Sequence, residues 1–122
     1  MFLTALGLNM TSCSQNDNIT TVSAEEFERE IIAKSPQLVD VRTAEEYAEG
    51  HIAYAQNLDV NSADFRTNAL AALDKLKPVY VYCRSGHRSM NAAKVLAKEG
   101  FRVVNLQGGI MEWESKGKVI NK

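Results

Sequence analysis

Cys83 is the residue whose surroundings best suit it to chemistry. It follows the β-branched and aromatic run Val79–Tyr82, and Arg84, His87 and Arg88 come directly after it. The nucleophilic form of cysteine is the thiolate, and nearby cations or a helix N-terminus lower the pKa of a free cysteine from about 8.5. The pattern therefore predicts a strand that delivers an activated thiol into a cationic loop.

The loop after the thiol has the composition of an anion-binding site. Gly86 allows the backbone to turn so that several N–H groups can point inward. Arg84 and Arg88 can bind oxygens as charges or through paired hydrogen bonds. After Ser89 the apolar residues recur at helical spacing until Gly100, so a helix N-terminus should also face the loop. Together these features predict a binding site for a small anion around one sulfur.

The segment Arg84–Arg88 is the predicted substrate-binding loop, and its smaller side chains have lesser predicted roles. Ser85 and Ser89 are expected to satisfy the loop and cap the following helix rather than to react. His87 is expected to fill the loop, and the alternative is that it adds partial positive charge. The other interpretation of Cys83 is an inert core cysteine, but such a residue needs no cationic neighbours.

Length and composition indicate one compact globular domain. The chain has 122 residues, of which 45% are hydrophobic and 24% are charged, a composition that argues against disorder throughout. The formal net charge is −1, whereas a general nucleic-acid or anionic-membrane binder carries a large basic excess. We therefore predict no nucleic-acid partner, and a monomer is the default because no long apolar stripe demands a dimer.

Charge is distributed unevenly along the chain. No acidic residue occurs between Asp74 and Glu99, a stretch that contains the loop, whereas the segment from Ser23 to Gly50 is acidic. The two cysteines lie far apart, and no metal-ligand spacing accompanies them. Attraction for anions is therefore expected to be local to the loop, and we predict no structural metal and no cofactor.

Short apolar strands alternate with amphipathic helices. The capping pattern S/T-x-x-E at Ser23 and Thr43 opens two helices, and Asn61 or Ser62 can cap a third with Leu76 facing inward. A glycine turn precedes a last short helix that carries Ile110 and Trp113. This alternation predicts an α/β domain around a mainly parallel sheet, with strands at Ile19–Val22, Gln37–Val41, Ala55–Val60, Val79–Tyr82 and Phe101–Leu106.

The first 18 residues are predicted to be a flexible tail, and residues 19–122 the folded domain. Small residues precede Cys13 and a polar linker follows it, as in the cleavage box of a bacterial lipoprotein. That interpretation places the protein in the cell envelope or periplasm through lipidation of Cys13. The alternative is an uninformative tail on a cytoplasmic protein.

Four motifs in order are similar to those of a single-domain rhodanese. They are D-V-R within 38–42, G-H-I at 50–52, the loop C-R-S-G-H-R-S at 83–89, and G-G-x-x-x-W at 108–113. The resemblance implies a rhodanese-like three-layer domain with a five-stranded, mainly parallel sheet flanked by helices. It also implies that Cys83 takes a sulfane sulfur from a small anionic donor such as thiosulfate, as a persulfide, and passes it to cyanide or a thiol.

The same resemblance assigns supporting roles outside the loop. Asp40, Arg42, Glu46 and His51 match positions that are mainly architectural in rhodaneses, and Asp40 and Arg42 are expected to form hydrogen bonds or an ion pair near the loop. One departure is visible. The family usually has a proline-glycine-alanine turn after G-H-I, and this chain has alanine, tyrosine and alanine at 53–55, which puts the local turn in doubt.

Two rival functions remain open from the sequence. Cysteine phosphatases and arsenate reductases also use a cysteine-to-arginine anion loop, but with five residues between the two, whereas Cys83 and Arg88 enclose four. The tighter ring suits sulfur better than a tetrahedral phosphate. The second rival is a noncatalytic persulfide carrier or sulfide-sensing module, which uses the same thiol and docks onto a protein partner that could also accept the sulfur.

Overall fold

A computed structural model describes residues 18–122. Five parallel strands form one sheet in the order β1-β5-β4-β2-β3, so the strand that directly precedes Cys83 lies in the middle. This confirms the α/β class and the parallel five-stranded sheet. The strands are β1 (Ile19–Val22), β2 (Gln37–Asp40), β3 (Gln56–Asn57), β4 (Val79–Tyr82) and β5 (Val103–Leu106).

Helices cover both faces of the sheet. Residues of α1 and α5 pack on one face with Tyr80 and Tyr82, and residues of α3 and α4 pack on the other with Val79 and Val81. The helices are α1 (Ala24–Lys34), α2 (Ala44–Glu49), α3 (Phe65–Ala72), α4 (His87–Lys98) and α5 (Gly109–Ser115). The domain therefore has three layers.

The central strand β4 is buried along its whole length. Its side chains alternate between the two faces because successive residues of a strand point in opposite directions. Full burial of each large apolar side chain contributes roughly 1.5–3 kcal/mol. The sequence of β4 is a continuous apolar run because helices cover both faces of the sheet, as is usual for parallel sheets.

The first two helices begin where the capping patterns predicted. The Ser23 hydroxyl accepts a hydrogen bond from the Glu26 N–H at 3.1 Å. Thr43 does the same for Glu46, whose carboxylate accepts in return from the Thr43 N–H. The second cap therefore fixes the position of the Glu46 carboxylate as well as the start of α2.

The third helix differs from the expectation. It begins at Phe65 after Asp64, which makes no side-chain capping bond, so neither Asn61 nor Ser62 is the cap. It ends at Ala72, and Leu76 is 90% exposed rather than inward-facing. The apolar spacing continued past the last turn of the helix, which is why periodicity alone misplaced Leu76.

Three strands are shorter than predicted, and one doubtful turn is intact. The expected strand at 37–41 ends at Asp40, the one at 55–60 is reduced to Gln56–Asn57, and the last strand begins at Val103 rather than Phe101. The Ala55 N–H donates to the Ile52 carbonyl at 3.1 Å, which closes the turn. Tyr54 occupies the position of the family's glycine with a φ of 70° and is 99% exposed, so the turn survives with a side chain in the left-handed region.

The predicted tail lies outside the described residues, apart from residue 18. The interpretation of Cys13 as a lipidation site falls there too. Within residues 18–122, none of the helices combines the length and the apolar character needed to cross a membrane.

Candidate active site

Cys83 lies directly after β4, at the edge where the carboxyl ends of the parallel strands meet. Asp40 ends the neighbouring strand β2 at the same edge. Ligands of open parallel sheets bind outside this edge, because the loops that follow the strands converge there. The site therefore occupies the position that the topology favours.

Backbone and hydroxyl groups surround the sulfur of Cys83, a residue that is only 1% exposed. The Gly86 N–H donates to Sγ at 3.0 Å, and Ser89 Oγ lies 3.4 Å from it. Burial raises the pKa of the Cys83 thiol, but hydrogen bonds from the Ser89 hydroxyl and from the N–H groups of Ser89, Gly86 and Ser85 outweigh it. The net pKa is below the ordinary value, which favours the thiolate.

The helix α4 begins inside the loop, earlier than the sequence suggested. Gly86 is its N-cap, with a φ of 107°, and His87 is its first residue. Ser89 is therefore in the first turn and not at the cap. Its hydroxyl oxygen lies 3.2 Å from the Gly86 carbonyl oxygen and 3.4 Å from Sγ, so its single proton can be donated to the carbonyl when Cys83 is a thiol and to the sulfur when Cys83 is a thiolate. The positive φ at Gly86 lets the chain turn so that N–H groups of the loop and of the first helical turn face the sulfur.

The turn before α5 closes the other side of the loop. The Ile110 N–H donates to the Cys83 carbonyl at 2.9 Å, and the Met111 N–H donates to the Arg84 carbonyl at 3.0 Å. Gly109 makes this approach possible, because a Cβ there would lie 2.6 Å from the Cys83 carbonyl oxygen and closer still to that of Arg84. The first turn of α5 thus holds the backbone of the loop.

Arg88 is paired with an acidic residue from another element. Its Nη1 and Nη2 donate to Glu46 Oε1 and Oε2 at 2.8 and 2.9 Å. The hydrogen bond from Arg88 lowers the pKa of Glu46 to about 2 although burial opposes the shift, and Thr43 contributes in the same direction. The sequence placed Arg88 in the substrate loop and Glu46 in the architecture, and the structure joins them.

The other loop side chains face solvent. Arg84, Ser85 and His87 are exposed, and the Arg84 Nε donates to the sulfur of Met111 at 3.3 Å. Within residues 18–122, Arg84 takes part in no ion pair with a carboxylate, in contrast to Arg88. Arg84 thus differs from Arg88 in keeping an uncompensated charge at the surface of the loop.

Asp40 and Arg42 form a buried ion pair, as the sequence suggested. Arg42 Nη2 lies 2.7 Å from Asp40 Oδ2 and also donates to the Gly50 carbonyl at 2.7 Å. Its guanidinium lies 5.8 Å from the centre of the Tyr82 ring. The pair ties the end of β2 to the end of α2 and to the residue before Cys83, so it supports the edge of the sheet without reaching the sulfur.

His51 also has a structural environment. Its ring stacks on Tyr47 at a centroid distance of 3.9 Å, and its Nδ1 lies 3.0 Å from the Tyr47 carbonyl oxygen. Its backbone pairs with Asn121 near the C-terminus. His51 thus stabilises the segment after α2.

Gly109, Ile110 and Met111 are parts of the site that the sequence did not assign. The glycine pair at 108–109 was recognised as a turn, but its contact with the loop follows from the position of β5 beside β4. The sequence alone did not show the order of the strands in the sheet. Once β4 and β5 are neighbours, the loops that follow their carboxyl ends must lie together. Among residues 18–122, no group of three or more His, Cys, Asp or Glu side chains could hold a metal ion.

Comparison with known proteins agrees with this geometry. A family model described as "Rhodanese-like domain" matches residues 23–116. The chain belongs to the rhodanese-like family. The rhodanese-like chain is 43% identical over 84 residues to the putative sulfurtransferase YtwF of Bacillus subtilis. These residues span 69% of this chain and 79% of that protein. It is therefore a rhodanese-type sulfurtransferase in the general sense.

Two further matches cover most of the rhodanese-like domain. The thiosulfate sulfurtransferase GlpE of Pseudomonas aeruginosa is 36% identical over 94 residues, which span 75% of this chain and 82% of that protein. The crystal structure of a rhodanese-related protein from Thermoplasma volcanium superposes with a TM-score of 0.74 at 27% identity, over 84% of this chain and 97% of that one. Sequence and fold thus indicate the same family.

Proposed function

We propose that this protein transfers a sulfane sulfur from thiosulfate or a similar small anionic donor to cyanide or a thiol through a persulfide on Cys83. The observation that carries the proposal is the sulfur of Cys83 at the end of the central strand, 3.0 Å from the Gly86 N–H. Hydrogen bonds around it favour the thiolate. The name of the Pseudomonas relative supports thiosulfate as the donor.

The loading step is a displacement at sulfur. The Cys83 thiolate attacks the sulfane sulfur of thiosulfate, the bond between the two thiosulfate sulfur atoms breaks, and sulfite leaves with the electron pair. A new S–S bond forms on Cys83, so charge is conserved and no external oxidant is needed. In the second step the acceptor attacks the outer sulfur, the S–S bond breaks, and the Cys83 thiolate leaves with the electron pair. Cyanide thereby becomes thiocyanate, and a thiolate acceptor becomes a persulfide.

The enclosure suits the charge of both states. A persulfide anion on Cys83 extends the thiolate by one sulfur atom, so its charge stays close to the N–H groups that precede and begin α4. Helix N-termini and convergent backbone N–H groups stabilise such anions without a change of geometry. Arg84 is exposed beside the loop and is the group that we assign to the departing sulfite.

Intact-mass measurement after thiosulfate treatment tests the proposal. We expect the mass of one added sulfur atom, removed by cyanide with release of thiocyanate. Cys83→Ser should show no added mass while keeping the circular-dichroism spectrum of the parent. An absence of added sulfur on the parent chain with thiosulfate and with other sulfane donors would refute sulfur transfer at Cys83.

Turnover separates an enzyme from a carrier. We expect thiocyanate to form from thiosulfate and cyanide in amounts that greatly exceed the protein present. A carrier would stop after one sulfur per chain and would resume only when a protein acceptor is added. Hydrolysis of an aryl phosphate that disappears in Cys83→Ser would instead support phosphatase chemistry, against the four-residue interior of the loop.

A further inference from the structure

Glu46 occupies the terminal edge of the Arg88 guanidinium. Both terminal nitrogens of the Arg88 guanidinium donate to the two oxygens of this one carboxylate. A paired arrangement of this kind uses the planar fork that makes arginine effective at binding oxyanions. An incoming donor therefore meets an arginine whose charge is already neutralised.

Glu46 is held in place independently of Arg88. Its Oε1 also accepts from the N–H and from the hydroxyl of Thr43, each at 3.1 Å. Thr43 is the N-cap of α2, so the carboxylate is anchored to the start of a helix. A donor anion would have to displace a carboxylate with three hydrogen-bonding groups on one oxygen in order to reach the Arg88 fork.

The ion pair lies beside the reacting thiol. The side chains of Arg88 and Glu46 are 24% and 26% exposed, so neither is sealed from solvent. Arg88 is the second residue of α4, and the N-cap of that helix, Gly86, donates its N–H to the Cys83 sulfur at 3.0 Å. The charge of the ion pair therefore lies beside the loop that holds the thiol.

We propose that Glu46 determines the donor specificity of the site, because its carboxylate cancels the charge of Arg88 and disfavours dianionic sulfur donors relative to monoanionic ones of similar shape. This inference rests on the proposed sulfur transfer at Cys83. It assigns Arg84 as the loop arginine that attracts the donor, and it makes Glu46 a residue that acts through Arg88 rather than a catalytic group.

Two donors that differ in charge test the inference. Thiosulfate is a dianion, and methanethiosulfonate replaces one of its charged oxygens by a methyl group while it donates the same sulfane sulfur. Coulomb energy is proportional to the charge of the donor, so Glu46→Gln should raise the second-order rate of Cys83 persulfide loading about tenfold for thiosulfate and about threefold for methanethiosulfonate. The loading rate at saturating donor should change by less than about twofold, since the chemical step is not altered.

Glu45→Gln is the matched control. Glu45 is exposed on the same helix, and within residues 18–122 it forms no ion pair. The substitution Glu45→Gln removes the same charge one residue away without breaking an ion pair. It should therefore leave the preference between the two donors unchanged. Equal effects of Glu46→Gln on both donors, or a fall in both rates together with stability, would mean that the pair is merely structural and would overturn the inference.

A second measurement compares two alkylating agents. Iodoacetate is an anion and iodoacetamide is neutral, and mass analysis of the Cys83 peptide follows the rate of each. Glu46→Gln should raise the ratio of the iodoacetate rate to the iodoacetamide rate about threefold over the parent, and Glu45→Gln should leave this ratio unchanged. The same ratio in Glu46→Gln and in the parent would show that Glu46 does not neutralise Arg88 toward anions and would contradict its role. An absence of added sulfur from either donor would instead refute the proposed sulfur transfer at Cys83.

Discussion

The ion pair between Glu46 and Arg88 should make the stability of the fold depend on pH in a defined window. The hydrogen bond from Arg88 is the largest cause that lowers the pKa of Glu46, from 4.5 to about 2. At ~1.4 kcal/mol per pKa unit this shift corresponds to about 3 kcal/mol. About a quarter of each side chain is exposed, so screening reduces our expectation to about 2 kcal/mol.

The sign follows from the lowered pKa. The unfolded chain takes up a proton at Glu46 near pH 4.5, while the folded chain resists until about pH 2. The stabilisation is therefore complete well above pH 4.5 and is lost as the pH falls through this window. More than half of it should already be gone at pH 3.

Urea unfolding of the parent chain and of Glu46→Gln between pH 3 and pH 7 measures this contribution. Glutamine cannot titrate, so the free energy of unfolding of the parent should exceed that of the variant by about 2 kcal/mol at pH 7 and by less than about 1 kcal/mol at pH 3. Other carboxylates titrate in both chains and cancel in the difference. A difference for Glu46→Gln that is independent of pH would refute the reasoning.

Three other substitutions probe the turn and the loop. Tyr54→Gly should raise the free energy of unfolding by about 0.5–1 kcal/mol in urea titrations, because it removes a side chain from the left-handed region at an exposed position; Tyr54→Val should lower it. Gly109→Ala should lower the melting temperature and slow thiosulfate turnover at least about tenfold, because its Cβ would collide with the loop carbonyls and displace the Cys83 backbone; unchanged turnover would contradict this close contact. Ser89→Ala should move the pH profile of Cys83 alkylation by iodoacetamide to higher pH, since the thiolate loses a hydroxyl donor.

The parts of the fold that sequence predicted best are those set by local chemistry. Ser23 and Thr43 cap their helices because their hydroxyls reach N–H groups three residues ahead, an interaction that needs no tertiary context. The central strand was recognised because burial on both faces requires a continuous apolar run. Leu76 was misplaced because spacing alone does not show where a helix ends.

The site was predicted unevenly for a related reason. Cys83 and its loop are contiguous in sequence, so their chemistry could be inferred from residue types. The partner of Arg88 lies 42 positions away on α2, and only the packing of that helix beside the loop brings Glu46 to the guanidinium. The N–H groups of Ile110 and Met111 were equally invisible, because a backbone donor has no signature in side-chain identity.

The hydrogen bonds from the first turn of α5 to the loop impose an order on biosynthesis. The ribosome makes Cys83 and its loop well before β5 and α5, so a nascent chain carries the thiol before the groups that hold the carbonyls of Cys83 and Arg84 exist. Until Met111 has emerged, the loop lacks the two hydrogen bonds that hold its backbone in place around the thiol. The complete enclosure of this sulfur therefore depends on residues that are made after it.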